Sequence, residues 1–172
     1  QTINDNKNEL EIVRKNVRKR TLVARLEVRC AREKKIATKI AKEMQSHGGT
    51  MTLEDLKAYK VVERQPIIGD YRGYKVVTMP PPSSGGVHLI EILNMLEHYP
   101  IKEDGVNSAK NIHHMAESMK LAYADRSEYL GDPDFVKIPV TGLTSKAYAN
   151  ERVKTIDDNK ARLSSTIKPG KP

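Results

Sequence analysis

The sequence predicts an α/β fold of the α+β kind, mostly helical with one short β-hairpin, and three observations lead there. Apolar residues recur at helical spacing in several separate stretches after residue 35. Two short β-rich runs, Val61 to Ile68 and Tyr74 to Thr78, flank a Tyr71-Arg72-Gly73 turn and read as a hairpin. Between the second run and the next helix lies Met79-Pro-Pro-Pro-Ser-Ser-Gly-Gly86, where proline fixes φ, serine hydroxyls can cap a helix and the glycines allow close backbone approach.

The elements follow in order. Ile36, Ala37, Ile40, Ala41 and Met44 mark a first helix, which His47-Gly48-Gly49 ends as a C-cap. Thr52 caps a short second helix, with Asp55 in a capping-box position. In the strand from Val61 to Ile68, Pro66 lacks an N–H, which confines that strand to an edge or a terminus. Val87, Ile90, Leu93, Met95 and Leu96 predict a helix from about Gly86 that stops before Pro100. A longer helix follows, from Ser108 to Leu130, with Ile112, Met115, Met119, Ala122 and Tyr123 as its core stripe and Gly131-Asp132-Pro133 as its stop. A shorter helix covers Ser145 to about Ile156, and Lys168 to Pro172 reads as an extended, exposed tail.

Composition divides the chain. All ten glycines and nine prolines of the 172 residues fall after residue 47. The net charge of +8 is equally uneven, because residues 1–35 carry eleven Lys/Arg against five Asp/Glu. This marks residues 1–35 as a basic arm, suited on charge alone to a polyanion, and residues 36–172 as the folded segment. No aromatic residue interleaves the arm and no nucleic-acid motif follows it, which argues against specific nucleic-acid binding. No apolar run is long enough for a bilayer, no signal-like apolar stretch stands at the start, and Cys30, being alone, builds no disulfide framework.

Three constellations are candidates for chemistry. His113 and His114 adjoin on the long helix with Glu117 beyond them; adjacent helical side chains diverge by about 100°, so the two imidazoles do not share a metal, and a helix-face hydrogen bond from His113 to Glu117 is the simpler reading. His47, His88 and His98 have no ligand spacing. Asp125-Arg126 and Asp132-Pro133-Asp134 gather acids that can bind Ca²⁺ or move protons, or that simply finish a helix and accept backbone N–H bonds in an Asx turn; the structural account is preferred. Ser83 and Ser84 stand before Gly85 as a nucleophile would, but the Gly-x-Ser-x-Gly pattern is absent and helix capping explains both.

The order of Gly48-Gly49-Thr50-Met51-Thr52-Leu53-Glu54-Asp55-Leu56, Gly69-Asp70-Tyr71-Arg72-Gly73-Tyr74, the proline turn, Ala122-Tyr123-Ala124-Asp125-Arg126 and Gly131-Asp132-Pro133-Asp134-Phe135 resembles the gamma-glutamyltranspeptidase (glutathione hydrolase) family. The likeness is to the C-terminal part of the large subunit of bacterial members, over about residues 36–172, and leaves residues 1–35 unmatched. It implies a fragment of the αββα sandwich of N-terminal-nucleophile hydrolases, glutathione as substrate, and a small catalytic subunit cut from the same precursor as partner. In that family a newly exposed Thr is both nucleophile and, through its amine, base. None of Thr50, Thr52, Thr78, Thr144, Thr155 or Thr166 stands in the family's Thr-Thr-His context, and the chain stops where that segment would follow. The resemblance therefore assigns no catalytic, cofactor-binding or metal-ligating residue here, implies no cofactor, and predicts an inactive isolated chain. It implies a periplasmic or secreted setting and no membrane partner. The competing expectations are a non-enzymatic polyanion-binding protein working through residues 7–35, and an interaction module descended from the enzyme.

Overall fold

The computed structural model describes residues 34–172, which divide between Glu63 and Arg64 into two units. The first holds helices α1 (Lys34–Ser46) and α2 (Leu53–Ala58). α1 ends as expected: Gly48 takes φ +75°, a value that favours glycine, and the Gly49 N–H returns to the Met44 carbonyl at 2.7 Å. The capping box of α2 is also present, with the Thr52 N–H donating to Asp55 Oδ2 at 2.8 Å and the Asp55 N–H to Thr52 Oγ1 at 3.1 Å. The basic arm, up to residue 33, lies outside the described residues.

The second unit runs from Arg64. Strands β1 (Ile67–Tyr71) and β2 (Tyr74–Thr78) pair antiparallel with Tyr71 opposite Tyr74. Their connection is Arg72-Gly73, both at positive φ (50° and 84°), the two-residue turn whose twist suits a hairpin. The strand expected from Val61 starts only at Ile67, and Val61 and Val62 are exposed without strand structure. Pro66 explains the delay, since it has no N–H to donate to a ladder bond.

Helix α3 (Ser84–Leu96) is the centre of this unit, with eight of its residues buried. It starts two residues earlier than Gly86, and Ser83 at its N-cap makes no side-chain capping bond, contrary to the expected role of the serines. Instead Ser84 Oγ accepts from Arg126 Nε at 3.1 Å. The glycine pair divides sharply by role. A Cβ on Gly86 would land on the Met79 carbonyl, well inside contact distance, whereas one on Gly85 would meet nothing nearer than Ser83 Oγ at 3.6 Å. Gly86 is thus the point where the start of the proline turn, which includes a cis Pro81–Pro82 bond, passes against the helix.

After α3 come the single turn α4 (Ile101–Asp104), the long α5 (Ala109–Tyr129), the single turn α6 (Val140–Leu143), α7 (Lys146–Val153) and a 3-10 turn at Ser164–Thr166. α4 and α6 both open after a proline, Pro100 and Pro139, and have no counterpart among the elements expected from the sequence. Ser108 and Ser145 cap α5 and α7 by accepting the Asn111 and Tyr148 N–H groups, each at 3.1 Å. Met95, Leu121, Ala122 and Ala149 form one apolar cluster, and Val87, Leu143 and Tyr148 a second, so α3 touches α5, α6 and α7 on successive faces. The hairpin lies close against α3, where a Cβ on Gly69 would stand 3.0 Å from Ile90 atoms. Polar ties fix the hairpin to the end of α3: the Arg72 N–H donates to Glu97 at 2.8 Å, and Arg72 Nη2 to the Tyr99 carbonyl at 2.7 Å.

The stripe expected to bury α5 does the opposite. Ala122 is buried, but Ile112, Met115, Met119 and Tyr123 are exposed, while Asn111, His114, Glu117, Ser118, Leu121 and Asp125 face inward. Polar residues inside a helix interface are tolerable only when paired, and most of these find partners in the stretch after α7. The tail is also not free: Gly170 and Pro172 are partly buried, and a Cβ on Gly142 would stand 2.7 Å from Pro172.

Candidate functional site

The best-built polar site lies between α3, α5, α7 and the tail, around a wholly buried Asp125. Helical spacing places Asp125 one turn beyond Leu121 on the inward face of α5. Tyr148 and Arg152 stand four residues apart on α7 and therefore reach the same spot. Tyr148 Oη donates to Asp125 Oδ2 at 2.9 Å, Arg152 Nη2 to Oδ1 at 3.1 Å, and the Gly170 N–H to Oδ1 at 2.7 Å. Arg152 Nε lies 3.1 Å from Oδ2, so the carboxylate is held by charge as well as by geometry. Further bonds grip the tail: Tyr129 Oη donates to the Gly170 carbonyl at 2.6 Å and Arg152 Nη1 to the Lys168 carbonyl at 3.1 Å. A side chain at Gly170 would run into the Tyr148 ring, which explains glycine there.

Glu91 from α3 completes the cluster. It is 1% exposed, and its carboxyl group faces that of Asp125. Burial, and then the neighbouring Asp125 carboxylate, push its pKa up to about 9 against the pull of Arg152, so it is neutral at pH 7. Burial and the Asp125 charge likewise raise the Tyr148 phenol, which stays a donor. The charge count of the site is then one carboxylate against one guanidinium. With the Tyr148 hydroxyl, the Arg152 guanidinium and the Gly170 N–H committed to Asp125 and to the tail, the cluster holds backbone rather than offering a reactive group to solvent.

The other sequence candidates resolve differently. His113 does not reach Glu117; its Nε2 meets the Asp157 carbonyl at 2.8 Å. His114, 1% exposed, stacks on Tyr99 with ring centroids 3.8 Å apart and places Nε2 3.2 Å from Asp158 Oδ1. Glu117 is buried and takes Lys120 at 2.6 Å and Arg162 Nε at 2.8 Å; burial alone would raise its pKa, but these bonds outweigh it and hold the carboxyl below its usual range. Together His113, His114 and Glu117 tie down residues 157–162. Asp132 Oδ1 accepts the Asp134 N–H at 3.0 Å, the expected Asx turn, and Arg64 pairs with Asp134 at 2.6 Å. His88 Nδ1 meets the Ser84 carbonyl, not a serine hydroxyl. Among the described residues no group of three or more His, Cys, Asp or Glu side chains comes together as a metal site, and no helix is long and apolar enough to cross a membrane.

Sequence reasoning thus singles out Asp125 for the wrong reason, as a helix-end residue, and misses Glu91, Tyr148, Arg152 and Gly170. One signal was available: Glu91 is the one acidic residue in the largely apolar run Val87 to Leu96. Partners 23 to 45 residues away along the chain left no local trace.

Comparison with known proteins gives a consistent answer. The sequence model of the family described as gamma-glutamyltranspeptidase matches residues 23–171, beginning upstream of Ile36. A glutathione hydrolase proenzyme of Escherichia coli (strain K12) is 62% identical over 136 residues, 79% of this chain and 23% of that protein. One from Pseudomonas sp. (strain A14) is 50% identical over 137 residues, 80% of this chain and 24% of that protein. The crystal structure of Helicobacter pylori gamma-glutamyltranspeptidase superposes with a TM-score of 0.73 at 48% identity, over 84% of this chain and 42% of that one. The chain thus spans about a quarter of the length of the curated relatives it matches.

Proposed function

We propose, because this chain belongs to the gamma-glutamyltranspeptidase family, that it is the supporting part of an enzyme that transfers the gamma-glutamyl group of glutathione to water or to an amino acid. The observation that carries this is the family match over residues 23–171, joined to a helical framework whose polar centre grips its own tail rather than a ligand. The chain supplies no catalytic residue; the Thr nucleophile, its amine base and the groups that stabilise the oxyanion come from the small subunit of the same precursor. Ser83 and Ser84 are no substitute, since Ser84 Oγ is bonded to Arg126 and the nearby His88 faces a carbonyl. The relatives' designation as glutathione hydrolase proenzymes supports both the substrate and the precursor origin. By the same family reasoning the enzyme works in the periplasm or outside the cell. Nothing in the fold favours the polyanion-binding alternative, whose arm lies mostly outside the described residues.

The test has two arms. The purified chain, given gamma-glutamyl-p-nitroanilide and glycylglycine, releases no nitroaniline. A hybrid proenzyme, in which residues 36–172 of this chain replace the corresponding segment of the Escherichia coli relative, matures and releases it. Saturable release by the chain alone, or a soluble but inactive hybrid, refutes the assignment.

A further inference from the structure

Four ionisable side chains share the sealed space between α3, α5 and α7, and one of them is a cation. Glu91 comes from α3, Asp125 from α5, and Tyr148 and Arg152 from α7, all of them buried. His88, the other titratable residue of α3, engages the Ser84 carbonyl. The remaining wall of the site is not a helix but the tail. It is held by the Gly170 N–H on Asp125, by Tyr129 Oη on the Gly170 carbonyl and by Arg152 Nη1 on the Lys168 carbonyl, while its own charges, Lys168 and Lys171, are exposed.

One guanidinium neutralises one carboxylate, and Arg152 is already paired with Asp125 at 3.1 Å. A second carboxylate in a space closed to water has no counter-charge, so Glu91 is accommodated there as the acid. Its pKa of about 9 agrees with that charge count. When alkaline solution removes the proton, two like charges face each other, and their relief requires water. The helices do not part easily to admit it, being packed through Met95, Leu121, Ala122 and Ala149. The tail does. Ile167 packs against that cluster as the fixed end, whereas Lys168, Pro169 and Lys171 beyond it are exposed. Lifting residues 168–172 breaks the hydrogen bonds named above and uncovers little apolar surface besides Pro172, which is partly buried.

We propose that Glu91 is a proton-operated latch on the tail. With the proton on, Asp125 and Arg152 hold residues 168–172 across the site; with it off, the tail lifts away while α3, α5 and α7 stay folded. The latch does not depend on the family assignment. Its sign follows from linkage: the closed form keeps the Glu91 carboxyl in its raised range, and lifting the tail lets water return it towards the ordinary 4.5. One proton therefore leaves with each opening. Attachment is strongest below pH 4.5, weakens by about tenfold per pH unit as pH rises, and stops changing above about 9. The Tyr148 phenol, pushed further up by burial and by Asp125, keeps its proton throughout that range and is not the switch. In acid the tail moves only with the helices; in alkali it opens by itself.

Carbon-13 glycine labelling of the full chain tests this, because the Cα–Hα signals do not exchange with water and survive alkaline pH. Between pH 6 and pH 10 the Gly170 signal should pass to the position of an unstructured glycine, while that of Gly86, buried at the start of α3, stays in place. Glu91→Gln should hold the Gly170 signal fixed over the same range. Tyr129→Phe removes one tail bond and should lower the midpoint of release by about 0.5–1 pH unit. A Gly170 signal that stays fixed to pH 10 in the natural sequence overturns the proposal. So does one that moves only together with Gly86, which is unfolding of the whole unit. The same release in Glu91→Gln also overturns it and, should that variant not fold, so does an unmoved midpoint in Tyr129→Phe.

Discussion

Asp125 and Glu91 show how two carboxyl groups coexist in the interior of a small protein: one is paired with Arg152 and surrounded by donors, the other keeps its proton. Removing the ionised partner strands Arg152, which is itself buried, so Asp125→Asn should cost about 3 kcal/mol or more in chemical unfolding. A loss below about 1 kcal/mol would show that the pair is not the anchor its geometry describes. For Glu91 the sign follows from its raised pKa. The folded state holds the proton more tightly than the unfolded chain, so the associated stability is complete below the ordinary value of 4.5 and declines as pH rises towards about 9. Glu91→Gln, which keeps the shape and removes the titration, should flatten the fall in melting temperature between pH 5 and pH 9. Parallel curves for the two proteins would mean that Glu91 is not buried in neutral form.

Among the elements, the start of α3 offers the sharpest contrast, because adjacent glycines there do different things. Gly86→Ala forces a methyl group onto the Met79 backbone and should destabilise by about 1–3 kcal/mol. Gly85→Ala meets only an ordinary contact with Ser83 Oγ at 3.6 Å and should stabilise by about 0.5–1 kcal/mol. Thermal melts of the two variants moving the same way would refute the close approach. The hairpin turn, the capping box of α2 and the starts of α5 and α7 at Ser108 and Ser145 were legible in the sequence because each depends on residues no more than a few positions apart. The inward face of α5 was not. Its inward residues are largely polar, and their partners Asp158, Arg162 and Gly170 lie more than 40 residues along the chain, where helical periodicity gives no sign of them. The order of the tail was hidden for a related reason: Lys168 to Pro172 has no pattern of its own, and its order is imposed by Asp125, Tyr129 and Arg152 from far along the chain.

At the scale of the whole molecule, both apolar clusters and the Asp125 site fall between Ile67 and Gly170, inside the second unit. Residues 64–172 alone should therefore unfold cooperatively, with a melting temperature within about 3 °C of the full chain. A broad or absent transition would show that the first 63 residues are needed for the second unit to fold. The family was legible from an ordered set of turn and helix motifs. The grip on Gly170 reaches one step further. Its N–H belongs to no helix or strand, yet it is bonded to a carboxylate sealed from water. In deuterated solvent this amide should exchange about a thousandfold more slowly than that of its neighbour Lys171, at the pace of the helices around it. A single resonance in an irregular stretch would then report every opening of the core, and in Asp125→Asn it should fall silent first.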